Sequence, residues 1–369
     1  MFDTDSYINN LKAKNLYRSL RKYENDCLDF SSNDYLNLSR NEKSMAAGYE
    51  AAKLYGSGST GSRLLSGNKE IFEQFEEQIA LDKKFESALI FNSGFVANAS
   101  VISAFSVPDS VMIFDKLNHA SMYCGINLNK TKLLRYKHLN YSELESILQK
   151  TGECKNKIIA SETVFGMDGD VADVKKLTFL AQKYGALLFL DEAHATGLYG
   201  ENGYGLSTNF DLDYSSTIVA GTFSKALASS GAYVACSKKI KEYLIQLSKG
   251  FIYSTALSPF CIGVAKYNWN LLKTGEVKIL GKRVIELANV LRRKMGKPES
   301  ETNIIPIIFE NTEEMLRASN VFFENKIIVF PIRPPTSPTP RIRLAVNASH
   351  DEKDLDRVVN AVNFTNFCN

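Results

Sequence analysis

Ala186-Leu187-Leu188-Phe189-Leu190-Asp191-Glu192-Ala193-His194-Ala195-Thr196-Gly197 is a continuous apolar run that ends on a carboxylate, with an imidazole three residues further on. A second stretch, Thr217-Ile218-Val219-Ala220-Gly221-Thr222-Phe223-Ser224-Lys225, has the same design: an apolar run, then two hydroxyls and an amine. Short apolar runs bounded by polar residues read as strands buried on both faces. Such strands belong to mostly parallel sheets, and ligands of those sheets sit beyond the strand carboxyl ends. The acid, the imidazole and the lysine therefore fall where a site is expected.

Outward from this pair the pattern continues. Apolar runs at 88–91, 111–114, 158–160, 186–190 and 218–220 alternate with helical spacings, such as Ile71, Phe72, Phe75 and Ile79, or Val174, Leu177 and Leu180. Strand–helix alternation predicts an α/β domain over residues 41–260, with a mostly parallel central sheet and helices on both faces. Residues 1–40 read as an N-terminal arm with an apolar stripe (Ile8, Leu11, Leu16, Leu20) and a short strand at 28–30. Residues 261–369 read as a smaller C-terminal α+β domain. Its elements are long helical stretches, a strand at 304–309, a helix near 312–325 and a strand at 327–330. A loop crowded by Pro331, Pro334, Pro335, Pro338 and Pro340 follows, then an alternating strand at 341–346 and a closing helix at 351–362. Proline excludes that loop from helix and inner strand.

Composition narrows the function classes. Over 369 residues, 44 basic and 41 acidic side chains leave a formal net charge of +3, which speaks against a dedicated nucleic-acid surface. No apolar stretch approaches the roughly 18 residues of a membrane span. The start, Met1-Phe2-Asp3-Thr4-Asp5, lacks the apolar segment of a signal peptide. The six cysteines (Cys27, Cys124, Cys154, Cys236, Cys261, Cys368) form no CxxC pair, so a reduced, cytoplasmic chain without a metal centre is expected.

Each candidate group has a plain structural explanation when taken alone. Asp191 and His194 could be a helix cap and a loop histidine; together, after a wholly apolar strand, they read as functional. Lys225 precedes Ala226-Leu227-Ala228, an uncharged setting suited to a reactive amine rather than a solvated one. Asn92-Ser93-Gly94-Phe95 lies where a strand turns into a helix and reads as an N-cap or as a phosphate cradle. His119 is a structural histidine or an aromatic plate for a flat ring. Gly56-Ser57-Gly58-Ser59-Thr60-Gly61-Ser62-Arg63 is a flexible loop by composition, or a close-approach loop for an acyl or coenzyme A group, and lacks Walker spacing. Arg341 and Arg343, two apart on a strand, point the same way and form either a solvated face or a carboxylate clamp. An acid, an imidazole and a lysine at strand ends are what a pyridoxal phosphate (PLP) site requires: the lysine forms the Schiff base and the acid keeps the pyridine nitrogen protonated.

Six motifs in order carry a family resemblance: Phe30-Ser31-Ser32-Asn33-Asp34-Tyr35-Leu36, the 56–63 run, Met167-Asp168-Gly169-Asp170, Asp191-Glu192-Ala193-His194, Thr222-Phe223-Ser224-Lys225 and Ile252-Tyr253-Ser254-Thr255. With Ile332-Arg333-Pro334-Pro335-Thr336 and Arg341-Ile342-Arg343-Leu344, the chain resembles the α-oxoamine synthases from about residue 28 to its end. The resemblance implies a fold-type I PLP-dependent transferase, aspartate aminotransferase-like, working as a homodimer with a shared active site. It makes Lys225 the Schiff-base lysine and proton-transfer base, and Asp191 the partner of the pyridine nitrogen. His194 becomes a ligand of the phenolic oxygen, and His119 a ring stacked on the cofactor that helps polarise the thioester carbonyl.

By the same resemblance Ser93, Gly94, Phe95 and Thr222 hold the phosphate, with Ser254 and Thr255 supplied by the other subunit, and Ser224 is a further cofactor-binding residue. Asn33 and Arg343, with Arg341 beside it, bind substrate carboxylate, and Arg18 or Arg21 matches an N-terminal arginine of the family. One departure stands out: Gly166 occupies a place where the family often has a serine near the phenolic oxygen, so one cofactor hydrogen bond is expected to be missing or replaced by water, a tuning effect rather than lost activity. The member matched most closely condenses L-alanine with a pimeloyl thioester, of coenzyme A or acyl carrier protein, with loss of CO2. The alternatives are the glycine C-acetyltransferase, 5-aminolevulinate synthase and serine palmitoyltransferase types, and a PLP-fold binding protein without turnover.

Overall fold

The computed structural model describes residues 2–24, 26–127 and 131–364. The chain divides into two compact units, one of residues 34–165 and 170–282, the other of residues 1–33, 166–169 and 283–369.

The larger unit is built on a seven-stranded sheet in the order Ser87–Phe91, Ala232–Cys236, Thr217–Thr222, Leu187–Asp191, Asn156–Glu162, Ser110–Asp115, Lys132–Tyr136. The last five are mutually parallel, and Ala232–Cys236 runs antiparallel to both of its neighbours. Ser87–Phe91 therefore points the same way as the parallel set, and its carboxyl end shares their edge. Every residue of Ser87–Phe91, Ser110–Asp115, Thr217–Thr222 and Ala232–Cys236 is buried, which requires cover on both faces. On one face Leu89, Phe91, Met112, Phe114 and Phe189 pack with Val101, Met122 and Leu244 of the helices Gly94–Phe105, Ala120–Asn127 and Lys238–Leu247. Each such side chain contributes about 1.5–3 kcal/mol on burial.

The five apolar runs read from the sequence are all strands of this sheet. Two further strands escaped that reading. Lys132–Tyr136 lies at the sheet edge with Lys132 and Arg135 exposed, so its apolar content is interrupted. Ala232–Cys236 is five residues long, like Ser87–Phe91, and its direction comes from its connection: residues 223–231 fall short of the dozen or so that a parallel crossover needs.

The glycine–serine run is tied down rather than loose. Ser62 bridges Thr255, and the Ala256 N–H donates to the Gly61 carbonyl at 2.9 Å. The Ser59 hydroxyl donates to the Leu257 carbonyl at 2.6 Å, and the Ser258 hydroxyl to the Ser57 carbonyl at 2.7 Å. Arg63 ends the run in an ion pair with buried Glu76 at 2.7 Å, and Glu76 also accepts from the Ile90 N–H at 2.9 Å.

The smaller unit carries a three-stranded antiparallel sheet, Phe330–Ile332, Arg341–Ala345 and Ile304–Ile308. Its core gathers Phe30, Leu291, Ile305, Met315, Phe322, Ile342, Leu344 and Val358. Leu28–Asp29 pairs in parallel with Ile327–Ile328, and Phe30 stacks on His350 with ring centroids 3.9 Å apart. Three sequence expectations change here. The strand expected at 327–330 is two strands, Ile327–Ile328 and Phe330–Ile332. Pro331 belongs to the second of them, on the sheet edge where a missing N–H is tolerated, rather than to the proline loop. The strand Arg341–Ala345 is buried at all five positions instead of alternating.

No helix among the described residues is long and apolar enough to cross a membrane. Cys27, Cys124, Cys154, Cys236 and Cys261 are free thiols, and Cys368 lies outside the described residues. No cluster of His, Cys, Asp or Glu among the described residues could hold a metal ion.

Candidate active site

In the larger unit, the parallel strands deliver polar groups to their carboxyl edge. Asp191 is the last residue of Leu187–Asp191 and is buried. Its two oxygens accept from neutral donors: the Asn98 side-chain amide at 2.6 Å and the Ala193 N–H at 2.8 Å. Asn98 comes from the helix Gly94–Phe105, and its Nδ2 also donates to the Ser121 hydroxyl at 3.0 Å. Ser121 in turn holds His119, with its hydroxyl 2.7 Å from Nδ1. His119 is exposed, yet enough protein surrounds the ring for desolvation to lower its pKa; the Asp191 charge opposes that shift and the Lys225 charge adds to it. Asp191 and Lys225 are thus each within electrostatic reach of His119.

Lys225 follows the strand Thr217–Thr222 in a tight turn closed by the Ala228 N–H on the Lys225 carbonyl at 2.8 Å. The Thr222 hydroxyl lies 2.8 Å from that of Ser224 and 2.9 Å from the Gly231 carbonyl. Across from it, Ser93 caps the helix Gly94–Phe105, its hydroxyl accepting from the Val96 N–H at 3.2 Å. A Cβ on Gly94 would sit 3.5 Å from the Thr222 Cβ, so glycine keeps open the space between the helix start and the strand end. Phe95 is half exposed in the first turn. The Thr255 carbonyl accepts from Asn92 Nδ2 at 2.6 Å, which ties the 254–255 backbone to the loop after Ser87–Phe91, with Thr255 exposed and Ser254 half-buried. His194 is buried, with Nδ1 2.7 Å from the Tyr35 hydroxyl.

This donor set suits a flat, phosphorylated, cationic ring. A buried carboxylate held by neutral donors, with no ion-pair partner among the described residues, is prepared for a charged N–H. An exposed imidazole anchored along one edge offers a stacking face. A helix N-terminus opened by Gly94 and flanked by the Thr222 hydroxyl suits a phosphate.

In the smaller unit, Arg341 and Arg343 are both buried, which removes the solvated-face reading. Arg343 donates from Nε to the Gly166 carbonyl at 2.5 Å and from Nη2 to Asn33 Oδ1 at 2.9 Å. Arg341 forms an ion pair with Asp168 and donates to the Thr339 hydroxyl at 2.7 Å. The two guanidiniums thus face the same 166–168 segment, as their spacing requires. Arg18 donates to the Thr336 hydroxyl at 3.2 Å, and Arg21 lies 6.0 Å from the Phe323 ring. Both raise the positive potential at Arg333, whose pKa is lowered by burial and then by these two neighbours.

Asn98, Ser121 and Tyr35 were not picked out from the sequence as site residues. The one available signal for Asn98 is a lone amide in Gly94-Phe95-Val96-Ala97-Asn98-Ala99-Ser100-Val101-Ile102-Ser103-Ala104-Phe105, a helix otherwise made of apolar and small residues.

Fold and donor set together define a fold-type I PLP-dependent enzyme. The chain belongs to the aminotransferase class I and II family, whose model matches residues 25–362, and within it to the α-oxoamine synthases. It is 36% identical to the 8-amino-7-oxononanoate synthase of Geobacter sulfurreducens, over 95% of this chain and 95% of that one. The solved 8-amino-7-oxononanoate synthase of Francisella tularensis is 29% identical, with a TM-score of 0.79 over 93% of this chain and 97% of that one. Sphingomonas wittichii serine palmitoyltransferase shares the fold at a TM-score of 0.88, with 24% identity over 99% of this chain and 97% of that one.

Proposed function

We propose that this chain is a PLP-dependent acyltransferase that joins L-alanine to a pimeloyl thioester, giving 8-amino-7-oxononanoate, CO2 and free thiol, a step of biotin synthesis. The near full-length similarity to the Geobacter sulfurreducens synthase carries this reading of the substrates. When bound, PLP supplies an electron sink for charge that develops on the amino acid's Cα.

The side chains divide the remaining work. Lys225 Nζ holds the cofactor and then takes the proton from the alanine Cα. Asp191 keeps the proton on the ring nitrogen, and His194 donates toward the phenolic oxygen. His119 stacks on the ring and helps polarise the thioester carbonyl. Ser93, Gly94, Phe95 and Thr222 receive the phosphate, with Ser254 and Thr255 contributed across a homodimer, and Ser224 is a further contact to the cofactor. Asn33 and Arg343 bind a substrate carboxylate, with Arg341 beside them and Arg18 or Arg21 as a further cation for the substrate. Arg341, through Asp168, also steadies the segment whose Gly166 carbonyl meets Arg343.

At the substrate, the alanine Cα loses its proton and bonds to the acyl carbon as the thiolate leaves. The new β-keto acid then loses CO2 and regains a proton at the same carbon. The chain is expected to act in the cytoplasm. Mass spectrometry of products from alanine, glycine and serine, each with pimeloyl, acetyl, succinyl and palmitoyl thioesters of coenzyme A and acyl carrier protein, tests the reading. A dominant product other than 8-amino-7-oxononanoate reassigns the chain to a sister activity. No CO2 and no free thiol from any pair removes the catalytic reading.

A further inference from the structure

Asn98 sits between two of the candidate functional groups, Asp191 and His119. Its side chain is buried in the helix Gly94–Phe105, and both hydrogens of its Nδ2 are used. One faces Asp191 Oδ2 at 2.6 Å, the other Ser121 Oγ at 3.0 Å. A carboxylate oxygen accepts only, so it fixes which end of the amide faces it. The amide hydrogen left over must then point at Ser121, whose oxygen accepts it. Ser121 keeps one hydrogen to give, and the atom within reach is His119 Nδ1 at 2.7 Å. The Ser121 backbone N–H points at the same nitrogen, at 3.3 Å. With two donors aimed at it, Nδ1 is an acceptor, and the ring proton belongs on Nε2. The direction of every bond from Asp191 to His119 follows from the charge at one end.

We propose that Asn98 is a positioning residue that orients Asp191 and, through Ser121, fixes His119 as its Nε2–H tautomer, so that one amide organises two of the groups that address the cofactor ring. The inference rests on the roles given above to Asp191 and His119. It gives His119 a defined donor edge and a neutral ring, both of which a group polarising a carbonyl needs. The lowered basicity of His119 agrees with it: a proton arriving at Nδ1 would face two N–H or O–H donors, besides the desolvation that already disfavours it. The charged groups acting on this ring are Asp191, which favours protonation, and Lys225, which opposes it.

The experiment uses the full chain labelled with 15N-histidine, in the PLP-free and PLP-loaded states. The chain has four histidines, so His119 is assigned by loss of one signal in His119→Gln. The wild type should show an unprotonated Nδ1 and a protonated Nε2 in the PLP-free state. Ser121→Ala removes the last link and leaves Asp191 and Asn98 in place. It keeps only the longer 3.3 Å backbone N–H on Nδ1, so if the Asn98-directed hydroxyl sets the tautomer, His119 should shift to a mixture of tautomers while PLP affinity, read from the visible absorbance titration, stays within about twofold. Asn98→Leu removes a donor to a buried charge as well; it should mix the tautomers and weaken PLP binding by roughly tenfold or more. An unchanged His119 signature in Ser121→Ala overturns the inference even if Asn98→Leu does not fold. PLP uptake by the wild type with unchanged affinity in a folded Asn98→Leu also overturns it while leaving the proposed function standing. A wild type that takes up no PLP brings down both.

Discussion

His138 gives a pH dependence that can be worked from the structure. Its Nδ1 lies 3.0 Å from Asp115 Oδ1 and its Nε2 3.1 Å from Asp170 Oδ2. Asp115, wholly buried at the end of Ser110–Asp115, also accepts from the N–H groups of Leu117 at 2.8 Å and Leu139 at 2.9 Å. Desolvation of the ring opposes its charge, but the two carboxylates outweigh it and raise the pKa from 6.5 to about 9. A proton is therefore bound more tightly in the folded chain than in the unfolded one. That stabilisation is fully present below about pH 6.5 and is lost as pH rises through about 9. The full shift corresponds to about 3 kcal/mol at 1.36 kcal/mol per unit. The ring is partly exposed and Asp170 is half exposed, so screening reduces the expected value to about 1–2 kcal/mol. Urea denaturation of the wild type and of His138→Gln, at intervals from pH 6 to pH 10, reads it directly. The wild type should lose about 1–2 kcal/mol relative to the variant across that range. Stability curves that run parallel from pH 6 to pH 10 would refute the argument, because His138 would then carry no linked proton.

Three further outcomes are expected. Lys225→Ala should abolish both the visible PLP band and turnover, and a fully active variant that resists borohydride would remove the Schiff-base role. Asp191→Asn should retain PLP but lose turnover by roughly a hundredfold or more, since a neutral amide cannot hold the ring nitrogen's proton; near-normal rates in a steady-state assay would contradict this. Lys83→Met should destabilise the fold by about 3–5 kcal/mol in denaturation, because it strands buried Glu192. Lys83 Nζ meets Glu192 Oε2 at 2.5 Å and the Tyr204 carbonyl at 2.7 Å, with both side chains fully buried; an unchanged midpoint would show the pair to be dispensable.

The parts of the fold that were legible in the chain are those that local chemistry determines. Buried parallel strands must be apolar throughout, so Leu187–Asp191 and Thr217–Thr222 announce themselves. Their polar ends announce the site, because a carboxylate or an amine at such a place has no solvation to explain it. The direction of Ala232–Cys236 lies in its short connection and not in the strand's own residues. Arg341 was read together with Arg343 because the two share a face; only the fold shows Asp168 opposite one and Asn33 opposite the other. Asn98 shows only as a lone amide in an apolar helix and Ser121 carries no signal of its own, since their meaning lies in facing Asp191 and His119 across a helix pair.

The clasp between the glycine–serine run and residues 255–258 bears on attempts to redesign acyl selectivity. Randomising 56–63 as though it were a free specificity loop would cut the ties at Ser59, Gly61 and Ser62, and with them the seating of the segment that bears Ser254 and Thr255. Libraries built there should be dominated by clones that no longer retain their coenzyme, and an altered chain-length preference would be masked by that defect.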